Sequence, residues 1–225
     1  MKKYTILLLL LSCTFFSYSQ NTPPSNAEMR LRADTNYLNL VNGVLLVRLS
    51  NPQRKIAALR KYGYAEEANN IQIQQDNENK EIIKSFKDEF SFCKTYFFFS
   101  EHSNNVRAKD FSEPIFLDEN LNIDPAIRLT KNNFLIAEFG HVTKDPASYK
   151  DFYATDNKDG YNRQTTYWGG PDLHFGALRM MSDQFVQLRR PFPRYVRTFN
   201  SLGILKRSVK KTVLLFNKKL NDYAH

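Results

Sequence analysis

Residues 43–49 (GVLLVRL), 95–100 (TYFFFS) and 132–140 (NNFLIAEFG) are apolar almost from end to end, not at every second position. A strand with one face in water alternates, whereas a strand covered on both faces reads as a continuous run of branched and aromatic side chains. Such strands call for a sheet with a layer on each side. The chain after the first run supplies one layer. Ser50 or Asn51 is placed to cap a helix, Pro52 fits its first turn, Ile56 and Leu59 have helical spacing, and Gly63 suits its end. A longer helix is expected over 64–90, where Ala68, Ile71, Ile82, Phe86 and Phe90 keep mostly three- or four-residue steps around a polar gap, QQDNEN. Only its two ends then have strong docking faces, and its middle is expected to cross solvent.

Further strands are expected at 113–120 (EPIFLDEN) and in a hairpin of LHFGALRMM and QFVQL around Ser182-Asp183. Strand, helical pair, strand and then several strands predict an α/β or α+β domain with a single mixed sheet of about five or six strands. From Ser201, the residues Leu202, Leu205, Val209, Val213, Phe216, Leu220 and Tyr223 recur at three- and four-residue steps. They predict an amphipathic C-terminal helix at 201–223 packed on the sheet domain.

The chain opens with Lys2 and Lys3, an apolar run from Ile6 to Leu11, and small side chains at Ser17 and Ser19 before Gln20. This pattern predicts a signal peptide over 1–19 and an exported protein, periplasmic or envelope-associated. The apolar run is too short to cross a bilayer as a helix, which takes about 20 residues, and no transmembrane segment is expected in the mature chain. Leu10-Leu11-Ser12-Cys13 resembles a lipobox, so lipid anchoring through Cys13 is the alternative, but Phe15 and Phe16 continue the apolar region past the cysteine. Residues 20–37, beginning QNTPPSN, are expected to be a mobile lead-in, and 38–225 a single domain.

Charge is unevenly placed. Arg189, Arg190, Arg194, Arg197, Lys206, Arg207, Lys210, Lys211, Lys218 and Lys219 face one acid, Asp222, in the last 37 residues, a net of +9, while 20–188 sum to −2. The basic C-terminal segment is expected to meet an anionic surface or polymer of the envelope, with Arg189, Arg190, Arg194, Arg197, Lys206, Arg207, Lys210, Lys211 and Lys218 as its contacts. Nucleic acid, scarce outside the cytoplasm, is not an expected partner.

Candidates for chemistry are few. Cys93 lies beside the apolar run at 95–100 and, once Cys13 leaves, has no second thiol for redox exchange, so it is expected to be a buried small apolar residue. His102 and His141 follow the ends of two expected strands. If those strands are parallel, both histidines share the edge where open α/β sheets take ligands, with Glu101, Asp118 and Glu119 beside them. Two imidazoles and a carboxylate there could serve a periplasmic enzyme, with or without a metal. The spacing contains no metal-binding motif, no glycine-rich phosphate cradle and no Gly-x-Ser-x-Gly elbow, so no metal or cofactor is expected. The polar stretch at 142–172 carries Tyr153, Tyr161, Tyr167 and Trp168, aromatic side chains suited either to a protein or glycan partner or to pinning the loop on its own domain.

With NGVLLVRL, FSFCKTYFFFS, FLIAEFG and LRRPFPRYV in that order, the chain resembles a group of uncharacterised exported proteins of Bacteroidetes-type bacteria. The resemblance covers most of residues 38–220. It implies export and carries no activity with it.

Overall fold

A computed structural model describes residues 25–142, 175–199 and 206–223. Five strands form one mixed sheet in the order β2-β1-β3-β4-β5: β1 (Val44–Leu49), β2 (Thr95–Phe99), β3 (Phe134–His141), β4 (Gly176–Met181) and β5 (Tyr195–Arg197). The central strand β1 runs parallel to both β2 and β3. Strand β4 is antiparallel to β3, and β5 to β4. The three continuous apolar runs are therefore the three parallel strands. Both faces of each are covered, as the lack of alternation demands.

The α/β expectation holds. Helix α1 (Asn26–Val41) precedes the sheet, α2 (Gln53–Lys61) and α3 (Ala65–Glu89) link β1 to β2, a short α4 (Ser103–Ala108) follows β2, and α5 (Val209–Tyr223) closes the chain. Leu45, Val47, Leu49, Phe97, Leu135, Ala137, Leu178 and Met180 point to one face and join Phe86, Phe216 and Leu220 of α3 and α5 in the larger core. The alternate residues Val44, Leu46, Tyr96, Phe98, Phe134, Ile136 and Met181 point to the other face. Val106, Ile115 and Phe116, from the connection between β2 and β3, cover them there.

Four local differences from the sequence reading have physical causes. The lead-in expected over 20–37 is helical from Asn26. Ser25 caps it, its Oγ accepting from Glu28 N–H while the Glu28 carboxylate accepts from Ser25 N–H, and Ala33 and Leu40 are buried. The expected strand at 113–120 contributes only isolated bridges, Phe98 to Phe116 and Leu117 to Ile123, because Asp118 turns the chain by accepting from the N–H groups of Asn120 and Asn122. Most of the QFVQL arm is turn: Ser182 Oγ accepts from Gln184 and Val186 N–H, and only Gln187 bridges Met181. Strand β5 takes the edge place that arm was expected to fill. The C-terminal helix begins at Val209 and not at 201: residues 206–208 are not helical, and Ser208 caps the helix, its Oγ accepting from Lys211 N–H, while 201–205 lie outside the described residues.

Helix α1 meets the sheet at a point only glycine can occupy. A Cβ on Gly43 would stand 2.2 Å from the Asn133 carbonyl oxygen and 2.3 Å from that of Asn39. The close approach lets Val44 N–H donate to Asn133 O at 3.1 Å and so starts the β1–β3 register.

Candidate functional site

Parallel pairing places the carboxyl ends of β1, β2 and β3 on one edge, and the chain leaves them in different directions. The connection after β1 goes to the β2 side of the sheet, while β3 is followed by β4 on the other side. Such divergence opens a crevice between neighbouring strand ends, the usual ligand position in open α/β sheets. Here that topological position falls between β1 and β3.

His102 and His141 do share this edge, His102 in the short turn Ser100–His102 after β2 and His141 as the last residue of β3. They stand on opposite sides of β1. The intervening strand separates their attachment points by two strand spacings, about 10 Å. His102 Nε2 lies 3.7 Å from Glu101 Oε1 and is buried without a hydrogen bond. His141 is exposed, and its carbonyl accepts from Arg179 at 3.0 Å. Asp118 and Glu119 are elsewhere. The segment 115–117 runs antiparallel to β2, so it carries them toward the amino-terminal end of that strand, where Glu119 pairs with Lys87 of α3. Backbone N–H from Asn122, with further bonds from Asn120 and Asn122, holds the Asp118 carboxyl below its ordinary range, the opposite of what a general acid needs. Among the described residues no three His, Cys, Asp or Glu side chains form a group that could hold a metal ion.

Near this edge a row of charge crosses one face of the sheet. Register pairs Arg48 with Glu138, Glu138 with Arg179, and Arg179 with Tyr195, so four adjacent strands contribute one residue each to a transverse line. Glu138 Oε2 accepts from Arg48 Nη1 at 2.7 Å and Oε1 from Arg179 Nη2 at 2.8 Å. Arg48 Nε donates to Ser103 Oγ at 2.9 Å, and its guanidinium stands 5.7 Å from the Phe185 ring. The side chains of Glu138 and Arg179 are only 13% and 17% exposed. One carboxylate between two arginines leaves a net positive charge at the centre of the row.

None of these residues was singled out by motif. Their signal is nonetheless in the sequence: each is the one charged residue within an observed strand, VLLVRL, FLIAEFGH and GALRMM, that is otherwise free of Lys, Arg, Asp and Glu.

The basic C-terminal segment is brought to the neighbouring sheet edge. Arg207 Nη1 donates to Arg197 O at 2.9 Å and Lys219 Nζ to Tyr195 O at 3.2 Å. These two carbonyls point away from β4, so the cations blunt an edge strand that could otherwise pair with another chain. Arg197 lies 4.1 Å over the Phe175 ring and Arg194 5.3 Å from the Tyr195 ring. Burial alone would raise the Tyr195 phenol, but hydrogen bonding to Arg197 and the fields of Arg194 and Arg197 outweigh it and bring the phenol below its ordinary value. Lys210 pairs with Glu89 of α3 at 3.1 Å and Lys218 with Asp222 at 2.9 Å. Arg190, Lys206 and Lys211 are exposed. Arg189, the remaining expected contact, is half-buried and engaged.

Cys93 is half-buried against the larger core, and desolvation pushes its thiol up to about 12 despite a backbone hydrogen bond near Leu45 that acts the other way. A thiol that stays protonated is a poor nucleophile. Residues 1–19, where a leader is expected, and the aromatic residues Tyr153, Tyr161, Tyr167 and Trp168 lie outside the described residues. No helix among the described residues is long and apolar enough to cross a membrane.

Fold and site together define an α/β protein with an arginine-centred sheet face. Compared with protein-family models, curated proteins and solved structures, the chain matches none.

Proposed function

We propose that this protein is an exported component of the cell envelope that binds anionic groups, with its basic C-terminal segment as the contact surface. The observation that carries the reading is the gathering of Arg194, Arg197, Arg207 and Lys219 along β5, two of them held by its carbonyls and two stacked on aromatic rings. Lys206 extends this surface next to Arg207. Stacking fixes a guanidinium at little further entropic cost. The leader-like start of the chain supports export, and in the envelope the abundant anions are lipid headgroups and polymers. Each basic residue near an anionic membrane contributes about 1 kcal/mol, screened by salt. The alternative, an enzyme at His102 and His141, draws no support from their separation across β1.

The test is sedimentation of the mature chain with vesicles of phosphatidylglycerol and phosphatidylcholine against vesicles of phosphatidylcholine alone. Binding is expected only with the anionic lipid and should fade between low and physiological salt. Changing Arg190, Arg197, Lys206 and Lys211 to Gln, which spares the contacts of Arg207, Lys210 and Lys219, should weaken it at least tenfold. Equal binding to neutral vesicles, or an unaffected variant, would sink the proposal.

A further inference from the structure

Helix α1 turns more large aliphatic side chains to solvent than to the core. Leu40 is buried, with Ala33 on the same side, whereas Leu31, Leu38 and Val41 are 68%, 56% and 45% exposed. At about 100° per residue, Ala27, Leu31, Leu38 and Val41 fall in one sector roughly 80° wide that points away from Ala33 and Leu40. The stripe they form runs for about 21 Å along the helix. A surface helix ordinarily turns its apolar stripe to its own core and polar residues to water. Here the core takes the other side, and a second apolar face remains outside. The Ser25 and Glu28 capping box and the buried Leu40 already hold the helix, so this face is not needed to form it.

The charges along the stripe indicate what covers it. Arg30 and Asp34 stand on the same edge, four residues apart, both exposed and neither in a salt bridge among the described residues. The Tyr223 hydroxyl binds Asp34 Oδ1 and leaves Oδ2 for another donor. A two-fold axis perpendicular to the helix turns a second copy antiparallel and sets each edge of the stripe against the same edge of that copy. With Leu38 placed over the small Ala27 of the second copy, Arg30 comes level with residues 34 and 35 of that copy. Two Arg30–Asp34 pairs then form by symmetry, and the two Leu31 side chains meet beside the axis. A parallel pair would align the two helix dipoles. It would also offer Arg30 only Glu28, whose carboxylate the capping box already uses.

We propose that the outward face of α1 is a docking surface for a second copy of this chain, forming an antiparallel, isologous helix pair with its two-fold axis beside Leu31. One helix face is smaller than the roughly 800 Å² per partner of a standard interface, so the pair is weak, with a Kd on the order of tens of micromolar. The surface uses none of the basic side chains assigned to the envelope contact. The two proposals therefore stand or fall apart from each other.

The experiment is sedimentation velocity of the mature chain over a concentration series that brackets this Kd. A monomer to dimer shift is expected. Leu31→Ser with Leu38→Ser leaves Ala33 and Leu40 in place and should weaken the dimer at least about tenfold, with the urea midpoint unchanged. Arg30→Glu should weaken it about fivefold at low salt and less at high salt, as for exposed ion pairs.

Direction is read by disulfide formation. Ala27→Cys and Leu38→Cys proteins, mixed under mild oxidation, should give a mixed covalent dimer, while neither cross-links to itself. Cys93 is half-buried with a protonated thiol, so wild-type protein treated in the same way is the control. Folded wild-type protein that stays monomeric throughout the series, or a serine double variant that dimerises like wild type, overturns the proposal. Self-linking of each cysteine variant without mixed product means a parallel pair and overturns it too. Wild-type binding to phosphatidylcholine vesicles that the serine double variant loses would assign the stripe to a lipid surface instead.

Discussion

The two faces of the sheet are built from alternate residues of the same strands, and they differ in kind. On the helical face Leu45, Val47, Leu49, Leu135, Ala137, Leu178 and Met180 form an unbroken apolar surface sealed by α3 and α5. On the other face the apolar set stops at Val44, Leu46, Phe134, Ile136 and Met181, and the next position in β1, β3 and β4 is Arg48, Glu138 and Arg179. The first face is continuous because nothing interrupts its packing. The second gives up packing at its carboxyl-terminal end for a charged row, which a sheet built for stability alone would not need.

The largest expected effect tests the sealed face. Phe216 is fully buried on α5 and stacks on Phe90 at a centroid distance of 5.8 Å. Phe216→Ala should lower unfolding free energy by about 3–5 kcal/mol, read from the urea midpoint at unchanged slope. A loss under about 1 kcal/mol would mean that α5 is an appendage and not a wall of the core.

The charged row should behave differently. Glu138→Gln leaves two guanidinium groups without their shared carboxylate, and its expected cost is about 1–3 kcal/mol. The sharper variant replaces Arg48, Glu138 and Arg179 together by Met. Well-packed apolar residues in place of a buried ion triad are often neutral or stabilising. The triple variant should therefore recover most of the stability lost in Glu138→Gln. If it is instead the less stable of the two, the row is structural and the contrast between the faces collapses.

How far the sequence anticipates this molecule follows from the same contrast. Continuous apolar runs specify strands covered on both faces, and β1, β2 and β3 are those strands. Helical spacing with Pro52 and Gly63 as punctuation predicts α2 and α3 within a residue or two of Gln53–Lys61 and Ala65–Glu89. Helix α1 escapes a hydrophobicity reading because Leu31 and Leu38, two of its apolar residues, face solvent. The Ser25 and Glu28 pair was its legible sign. The charged row is a different matter. Arg48, Glu138 and Arg179 lie 90 and 41 residues apart in sequence, and only the strand order and register make them neighbours. A single charge within an apolar strand marks each one; no local pattern joins them. His102 and His141 show the converse, since both occupy predicted strand ends, yet β1 stands between them.

A further variant examines the edge of the sheet, where cations and fold meet. Changing Arg207 and Lys219 to Met uncovers the Tyr195 and Arg197 carbonyls of β5. Each lost bond should cost about 0.5–1.5 kcal/mol, and the exposed edge should increase self-association. Light scattering across a concentration series reads the second effect, and a strictly monomeric variant of unchanged stability would show that the two contacts have no protective role.

The smallest effect concerns the joint between the two ends of the chain. Tyr223 O–H on α5 donates to Asp34 Oδ1 on α1 at 2.9 Å, and its ring lies 5.5 Å from Tyr37 and 5.8 Å from Phe192. Burial, reinforced by the hydrogen bond to Asp34 and its charge, pushes the phenol from 10.0 up to about 12. The folded state therefore holds this proton more tightly than the unfolded chain does. Below pH about 10 the phenol is protonated in both states and the joint is fully formed, so this group gives stability no pH dependence there. Between pH about 10 and about 12 the unfolded chain loses the proton first, and stability should fall as pH rises. Tyr223→Phe removes the titrating group and should flatten that part of the profile, at the cost of one exposed hydrogen bond near neutrality. An alkaline decline that is the same in both proteins would place its origin elsewhere and detach α1 from the sealed face.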